Sequence, residues 1–381
     1  MNNIVTPASI IEEARLFAKE HIRPYTTRFE ENNGIPRSLI NKMGEHGFLG
    51  AVFPPLYGGL GLDPIAYGQM TEEIGKACCS TRSVLTVHTS LVGQTILRFG
   101  TEEQRSYWLP LIASGKKIGA FALSEAETGS DAGSVKTSYI NHEDEYAITG
   151  RKKWISLGHI ADFFIVIASC KEKVTAFIVE RDETVTSTPM QGLLANRAGH
   201  VAEITFNNTR IPAANILGKE GIGLSHIINT AMDYGRYSIA WAGLAIAQEA
   251  LESMATYARQ RTQFGQKIYK FQSIQQMISQ AVVNVHAARC LCLKAGQMRS
   301  ENHPDAVVET IVAKYHTSKT AMQIATDAVQ LHGGNGCYNM YVPERLFREA
   351  KILEIIEGSS QVLQGIISEF GLKKYYTKAH E

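Results

Sequence analysis

The sequence has no long hydrophobic run. Its most apolar stretches, such as Phe163–Ala168 and Ile239–Ala247, fall well short of the ~18 residues needed to cross a bilayer. It is also poor in cysteine: Cys78, Cys79, Cys170, Cys290, Cys292 and Cys337 contain no C-x-x-C spacing. Adjacent or alternating pairs are poor disulfide geometry, so six reduced, mostly buried thiols are expected. Neither sign of charge is in excess. Lys+Arg is 38 against Asp+Glu 37, a net charge of +1, which gives no electrostatic reason for a nucleic-acid or anionic-membrane partner. With 11 Pro and 32 Gly in 381 residues, the chain is neither collagenous nor of low complexity. Met1–Ile10 has no basic segment leading into an apolar one, and the Glu381 end has no lipidation box. The expected compartment is therefore cytoplasmic. Several catalytic signatures are missing too. Gly59-Leu-Gly61 and Gly221-Ile-Gly223 lack the third glycine of a dinucleotide fingerprint, and neither lies in a βαβ unit. There is no phosphate-loop lysine, no nucleophile elbow and no H-E-x-x-H, His142-Glu143 being the nearest fragment. Rossmann nicotinamide chemistry, P-loop chemistry and metal catalysis are thus disfavoured.

What remains is a chain long enough for two or three domains, with 44% hydrophobic and 20% charged residues. Its texture changes twice. Residues 1–120 read as helical, with apolar spacing over Ser9–Glu20, Arg37–His46, Pro64–Gly75, Val84–Phe99 and Glu102–Ser114. Thr101 ahead of Glu102 and Glu103 is a good helix start. The breaker-rich stretch Phe53–Pro64 must be a loop. Residues 121–225 read as β, preceded by an entering run from Lys117. Short runs rich in Ile, Val, Phe and Thr lie at Lys117–Leu123, Val135–His142, Glu145–Thr149, Lys152–Ser156, Phe163–Ser169, Val174–Glu180 and Ala202–Phe206. Without intervening helices they predict an antiparallel barrel or sandwich. Residues 226–381 are helical again, over Ile239–Arg261, Phe271–Arg299, Pro304–Leu331 and Val342–Phe370 with an interruption at Gly358. The expected class is α+β, an all-α part, an antiparallel β part and a helical bundle in that order.

Five segments carry residues suited to chemistry. Phe121-Ala-Leu-Ser-Glu-Ala-Glu-Thr-Gly-Ser-Asp-Ala-Gly-Ser134 runs from a strand into a loop of hydroxyls and glycines. Free N–H groups in such a loop suit a polar heterocycle or a pyrophosphate, although an ordinary polar turn has the same composition. In Gly150-Arg-Lys-Lys-Trp-Ile-Ser156, strand alternation puts Trp154 and Ser156 on one face, an aromatic wall beside a hydroxyl. A core Trp at a strand end is the competing reading. Arg259-Gln-Arg-Thr-Gln-Phe-Gly265, followed by Phe271-Gln272, offers a cation, an amide and a ring, or else a helix end decorated with favourable cations. Gln330-Leu-His-Gly-Gly-Asn-Gly336 is a second glycine-rich loop. In Glu354-Ile-Ile-Glu-Gly-Ser-Ser-Gln361, Glu357 follows two isoleucines. Desolvation there would raise its pKa into the range of a usable base, whereas a surface Glu at a helix start would have no such role.

Taken together, in this order and spacing, these segments resemble the acyl-CoA dehydrogenase family over essentially the whole chain. The most specific blocks are Leu123–Ser130, Lys153-Trp-Ile-Ser156, Asp233-Tyr-Gly-Arg236, Arg261-Thr-Gln-Phe-Gly265, His332-Gly-Gly-Asn-Gly336 and Ile356-Glu-Gly-Ser359. The resemblance implies an N-terminal α-domain, a middle β-domain and a C-terminal four-helix bundle that hold FAD at their junction. It implies an acyl thioester substrate, an electron-transferring flavoprotein as acceptor, and a homodimer or homotetramer. Glu357 then matches the base that removes the α-proton while the β-hydrogen leaves as hydride to flavin N5. Gly235 stands where some relatives carry the base, so Glu357 is the one matching candidate.

The same resemblance assigns Phe121, Leu123 and Ser124 to the strand along the flavin. Gly129 and Ser130 fall in the following loop, Ser130 where the loop meets the thioester arm. Trp154, Ile155 and Ser156 match the flavin wall and the hydroxyl near N5. Arg236 and Gly358 fall on the substrate side. Arg261, Gln263, Phe264 and Gln272 match contacts to the FAD of a neighbouring subunit, and Gln330, His332, Gly333 and Gly334 its adenosine side. Ser359 and Gln361 match FAD contacts beyond the base. Three departures stand out: His332 where many relatives have Phe, the loop Ser156–Asp162, and the short segment Met190–His200. They look like the branch that oxidises hydroxyacyl or aminoacyl groups on an acyl carrier protein in polyketide or nonribosomal-peptide pathways. A free short-chain acyl-CoA is the other substrate class. A flavin monooxygenase or oxidase on the same fold is the alternative activity, and the retained Glu357 argues against it.

Overall fold

The computed structural model describes residues 6–376. Helix α1 (Pro7–Phe17) starts at Thr6, whose hydroxyl accepts from the Ser9 N–H in a reciprocal capping box. The short helix α2 (Thr26–Glu31), which apolar spacing did not reveal, and α3 (Arg37–Glu45) follow. The breaker-rich stretch is a loop containing one turn of 3₁₀ helix, Pro55–Tyr57. Gly59 lies so close to the Phe53 carbonyl that a Cβ there would overlap it. Helix α4 (Pro64–Ala77) precedes one continuous helical run built of α5 (Cys79–Val84), a π-type stretch over Leu85–Gly93, and α6 (Gln94–Phe99). Helix α7 (Glu102–Ala113) begins as the sequence predicts, Thr101 exchanging hydrogen bonds with Gln104. Every side chain of the π-type stretch is buried. Its His88 accepts from the Gly119 N–H through Nδ1 at 3.1 Å and donates to the Ile112 carbonyl from Nε2 at 3.0 Å. Burial holds its pKa down, to about 4, so the neutral ring ties the last helix to the first strand.

The β region forms one seven-stranded sheet. Its strands are β1 (Gly119–Ala122), β2 (Ser138–Asn141), β3 (Glu145–Ile155), β4 (Phe163–Cys170), β5 (Lys173–Glu180), β6 (Val185–Pro189) and β7 (Ala202–Pro212). The order is β1-β4-β2-β3-β7-β6, with β5 paired to β4. Pairing is antiparallel except that β4, antiparallel to β5, pairs in parallel with β1 and meets β2 in parallel at Ser138 and Ser169. The β2–β3 hairpin lies in the long connection between β1 and β4, which is what allows the chain to return in the same direction. The two predicted runs Glu145–Thr149 and Lys152–Ser156 are one strand, β3, kinked against β7 by register shifts between Ile148 and Gly150 and between Lys152 and Ile155. The polar strand β6, Val-Thr-Ser-Thr-Pro, had escaped the sequence reading. It is an edge strand with one buried side chain, so little apolar patterning is required of it.

The last region holds α8 (Asn229–Gln260), a two-stranded hairpin of β8 (Thr262–Gln263) and β9 (Gln266–Lys267), α9 (Gln272–Ser300), α10 (Ala306–His332), α11 (Val342–Leu353) and α12 (Ser360–Tyr375). Helix α8 starts ten residues before the predicted Ile239. Contacts divide the chain into two units, Met1–Asp63 with Ser80–Gly235, and Pro64–Cys79 with Arg236–Glu381. Helix α4 thus packs with the C-terminal helices. Gly68 of α4 gives way to the fully buried Trp241 of α8, and Gly243 of α8 to the Thr317 backbone of α10; a Cβ at Gly68 would overlap the indole. Ala240, Ala242, Ala247 and Ala250 share the α8 core with Ile239, Leu244, Ile246 and Met254, which accounts for its alanine-rich sequence. Of the six cysteines, Cys78, Cys79 and Cys292 are buried, Cys170 is partly covered, and Cys290 and Cys337 are exposed, so burial is less general than expected. Among the described residues no helix is long and apolar enough to cross a membrane.

Candidate active site

In the first unit, β1 delivers the hydroxyl- and glycine-rich loop. Phe121 and Leu123 are buried, so what this strand offers is backbone, together with the partly exposed Ser124. Gly129 and Ser130 are exposed, and a Cβ at Gly129 would meet nothing within 4 Å. The loop is folded back on a buried ion pair. Glu125 Oε1 accepts from Lys152 Nζ at 2.8 Å, with the two side chains 3% and 0% exposed. The same carboxylate accepts from the backbone N–H of Lys136 at 2.6 Å and of Thr137 at 2.9 Å. Lys152 also donates to the Leu123 carbonyl at 2.9 Å. Burial pulls Lys152 down to about 8, with Glu125 drawing it back up. Burial acts to raise Glu125, but Lys152 and the two N–H groups prevail and hold it below the usual carboxylate range.

Trp154 is neither a core residue nor in register with Ser156. It occupies the second bulge of β3 at φ 65° and is 54% exposed. Ser156 lies past the strand end and its hydroxyl accepts from Asn196 Nδ2 at 3.2 Å. The same-face expectation assumed regular alternation, and the bulge removes it. Ile155 is buried.

In the second unit, α10, α11 and α12 hold the turn that carries Glu357. Helix α11 ends at Leu353, whose carbonyl accepts from Ser318 Oγ at 3.1 Å. Ser359 caps α12. Between them Glu357 has φ 54° and Gly358 φ 89°. Arg236 Nε donates to the Glu357 carbonyl at 3.2 Å, and Lys314 Nζ donates to the Gly358 carbonyl at 2.7 Å. The Glu357 Oε2 atom is buried with no hydrogen-bond partner among the described residues. Burial pushes this carboxyl up to about 7, against the pull of Arg236 and then Lys314. The Glu357 N–H has no acceptor among the described residues.

Other predicted residues of this unit are separated along it. Arg261, Gln263, Phe264 and Gln272 are exposed around the β8–β9 hairpin. Its two turn residues, Phe264 and Gly265, both have positive φ, and the Phe264 ring is 92% exposed. Gln330, Gly333, Gly334 and Gln361 are exposed, and a Cβ at either glycine would meet nothing within 4 Å. His332 is different: it is buried, stacked on Tyr257 at 4.1 Å between centroids, and its ring nitrogens face the Ala328 carbonyl and Ser253 Oγ. Its imidazole is thus occupied within the unit, leaving the backbone of this loop for a ligand.

Three family models match in chain order: the acyl-CoA dehydrogenase N-terminal domain over residues 7–116, the middle domain over 120–209 and the C-terminal domain over 221–372. This chain belongs to the acyl-CoA dehydrogenase family. It is 38% identical over 369 residues to the probable acyl-CoA dehydrogenase YngJ of Bacillus subtilis, covering 95% of this chain and 97% of that protein. It is 36% identical to a short-chain specific acyl-CoA dehydrogenase of Clostridium acetobutylicum, covering 93% and 94%. Among solved structures, butyryl-CoA dehydrogenase from Megasphaera elsdenii superimposes with a TM-score of 0.93 at 32% identity, covering 98% and 99%. The prolyl acyl-carrier-protein oxidase AnaB gives 0.89 at 28%, covering 96% and 98%.

Members of the acyl-CoA dehydrogenase family are FAD-dependent oxidoreductases, and the cofactor is FAD. The residues fit such a group. Open glycines permit close approach, short hydroxyls supply donors, and two exposed rings stand out, Trp154 at the β3 bulge and Phe264 at the β8–β9 turn. Sequence reasoning missed Lys152, Glu125, Asn196 and Lys314. Lys314 did leave a signal: it stands on the α10 face formed by Thr310, Ala313, Thr317, Ser318 and Ala321, where a lysine is out of place without a buried acceptor.

Proposed function

We propose that this chain dehydrogenates a short acyl-CoA at its α and β carbons, with Glu357 as the base. One observation carries the assignment: the carboxyl oxygen of Glu357 is buried and unpartnered, on a turn fixed by two cations, with a pKa near neutrality. Such a carboxylate is ionised often enough at neutral pH to remove a weakly acidic α-proton, and it has no competing donor to neutralise. Its own backbone N–H is a suitable donor to the thioester oxygen as negative charge develops there. Bound FAD supplies the hydride acceptor. In the first unit Ser124, Gly129, Ser130, Trp154 and Ser156 would hold the flavin, Trp154 by its exposed face and the others by hydroxyl or backbone donors. In the second, Arg261, Gln263, Phe264, Gln272, Gln330, Gly333, Gly334, Ser359 and Gln361 would hold the remainder, with Arg261 toward the pyrophosphate. The division 1–120, 121–225 and 226–381, an electron-transferring flavoprotein as acceptor, a homo-oligomeric assembly and a cytoplasmic location belong to the same reading.

Short acyl-CoA is favoured over a carrier-bound acyl group because the 36% identical relative is named for short-chain acyl-CoA. The carrier reading draws on the likeness to AnaB and on the segment Met190–His200, whose Asn196 reaches Ser156. The test is the visible spectrum of the anaerobic protein with butyryl-CoA and, separately, with butyryl and hydroxyacyl groups on a carrier protein. Bleaching by butyryl-CoA, lost by at least about 100-fold in rate in Glu357→Gln, is the expected result. Bleaching by carrier-bound acyl groups alone would select the second substrate class. Full turnover by Glu357→Gln would remove Glu357 from the mechanism. Rapid oxygen consumption with an oxygenated product would favour a monooxygenase instead.

A further inference from the structure

We infer that Lys314 is a positioning residue for Glu357: its ammonium pins the Glu357–Gly358 turn from α10 and brings a buried positive charge to that turn. This deepens the reading of Glu357 as the base and rests on it. The geometry begins with burial. Lys314 is fully buried, and its Nζ donates to the Gly358 carbonyl at 2.7 Å. The neighbouring Glu357 carbonyl is taken by Arg236 of α8 at 3.2 Å. Two consecutive carbonyls are therefore held by two cations from different helices. The residues bearing them have φ 54° and 89°, a conformation that a glutamate adopts only under constraint.

The rest of the surround is almost complete without Lys314. Ser318, one helical turn along α10, donates to the Leu353 carbonyl at 3.1 Å. Lys319 and Lys351 neutralise Glu354 at 2.8 and 2.6 Å. The Ser360 N–H donates to the Glu354 carbonyl at 2.9 Å. These contacts fix both ends of the turn, where α11 stops and α12 starts. Among the described residues, Arg236 and Lys314 hold the two carbonyls at its centre. The charged groups acting on Lys314 are Glu357, Arg236 and Glu354; burial draws the ammonium down to about 8, and Glu357 works against that. Glu357 in turn feels Arg236 and Lys314, both favouring the carboxylate. A plain structural lysine would have been satisfied by a surface position. A buried ammonium is costly to desolvate, and here it stands beside a carboxyl that must lose a proton.

The test reads the carboxyl itself. Infrared difference spectra of the FAD-containing protein against Glu357→Gln, from pH 5 to 9, report the protonated C=O stretch of Glu357. Lys314→Met removes both the charge and the donor. Lys314→Gln removes the charge and keeps a donor for the Gly358 carbonyl. Both variants should raise the ionisation midpoint by about one unit, with melting temperature and flavin content near wild type in Lys314→Gln. Flavin reduction by butyryl-CoA should fall more in Lys314→Met than in Lys314→Gln at pH 9, where the charge effect is saturated. A midpoint unmoved in Lys314→Gln overturns the proposal, whether or not Lys314→Met folds. Turnover by Glu357→Gln would refute the base assignment while leaving the midpoint comparison intact, so the two failures are separable.

Discussion

Three bulky residues, Trp154, Phe264 and Glu357, have left-handed backbone conformations, with φ of 65°, 49° and 54°. Eight other non-glycine residues have positive φ: Asn33, Asn196, Asn208 and Asn302, whose short amide side chains tolerate the strain, and Glu143, Leu157, Lys171 and His200. No such tolerance applies to an indole, a phenyl ring or a buried carboxyl. Each of the three lies in a segment that the sequence alone had marked for cofactor or base, and strain of this kind concentrates at functional positions. The titration of Glu357 carries a consequence for rate. Its folded pKa is raised to about 7, by burial against two cations, and a base must be ionised to act. The rate of flavin reduction should therefore rise with pH through a midpoint near 7, by roughly thirtyfold between pH 5.5 and 8.5. Stopped-flow absorbance with butyryl-CoA measures it, and a flat profile would contradict Glu357 as the base.

At the scale of elements, the buried pair Glu125–Lys152 ties the loop between β1 and β2 to strand β3. The carboxylate gathers the Lys136 and Thr137 N–H groups as well, so one side chain sets the path of the loop at both ends. Replacing Lys152 by Met leaves the carboxylate buried without its counter-charge, which costs about 3 kcal/mol. The expected result is a lowered denaturation midpoint in urea together with flavin lost on gel filtration. Stability within a few tenths of a kcal/mol of wild type would show the pair to be dispensable. The helices were the most legible elements because their starts are chemically marked: the Thr101 box and the Gly358 interruption stand where the sequence put them. The bulge at Trp154 was not legible, since alternation in a single strand contains no record of an extra residue opposite β7. Strand β6 was missed because an edge with one buried residue leaves almost no periodic trace.

At the scale of the whole molecule, large apolar side chains stand on the surface of the second unit. Phe264 is 92% exposed, Met340 72% and Tyr338 57%. A ring raised on a strained hairpin turn, with Phe271 at 6.1 Å as its one aromatic neighbour among the described residues, is a costly ornament for a monomer. The chain should sediment as a dimer or tetramer. Phe264→Ser should leave the fold intact, shift sedimentation toward smaller species and reduce bound flavin per chain several-fold. A monomeric wild type with full flavin would contradict the assembly.

The sequence by itself determined the α, β, α order, because hydrophobic period and capping residues are local chemistry; its motif blocks carried the family resemblance, and Glu357 as the base is what that resemblance implies. Only the tertiary structure decided what surrounds Glu357. The two cations that fix Glu357 lie 121 and 43 residues away in sequence, and no pattern near Glu357 specifies them. The same holds for Lys152, whose partner Glu125 lies 27 residues earlier. A buried charge is tolerated only where folding brings it a partner, and that pairing is a property of packed helices and strands, not of any one segment.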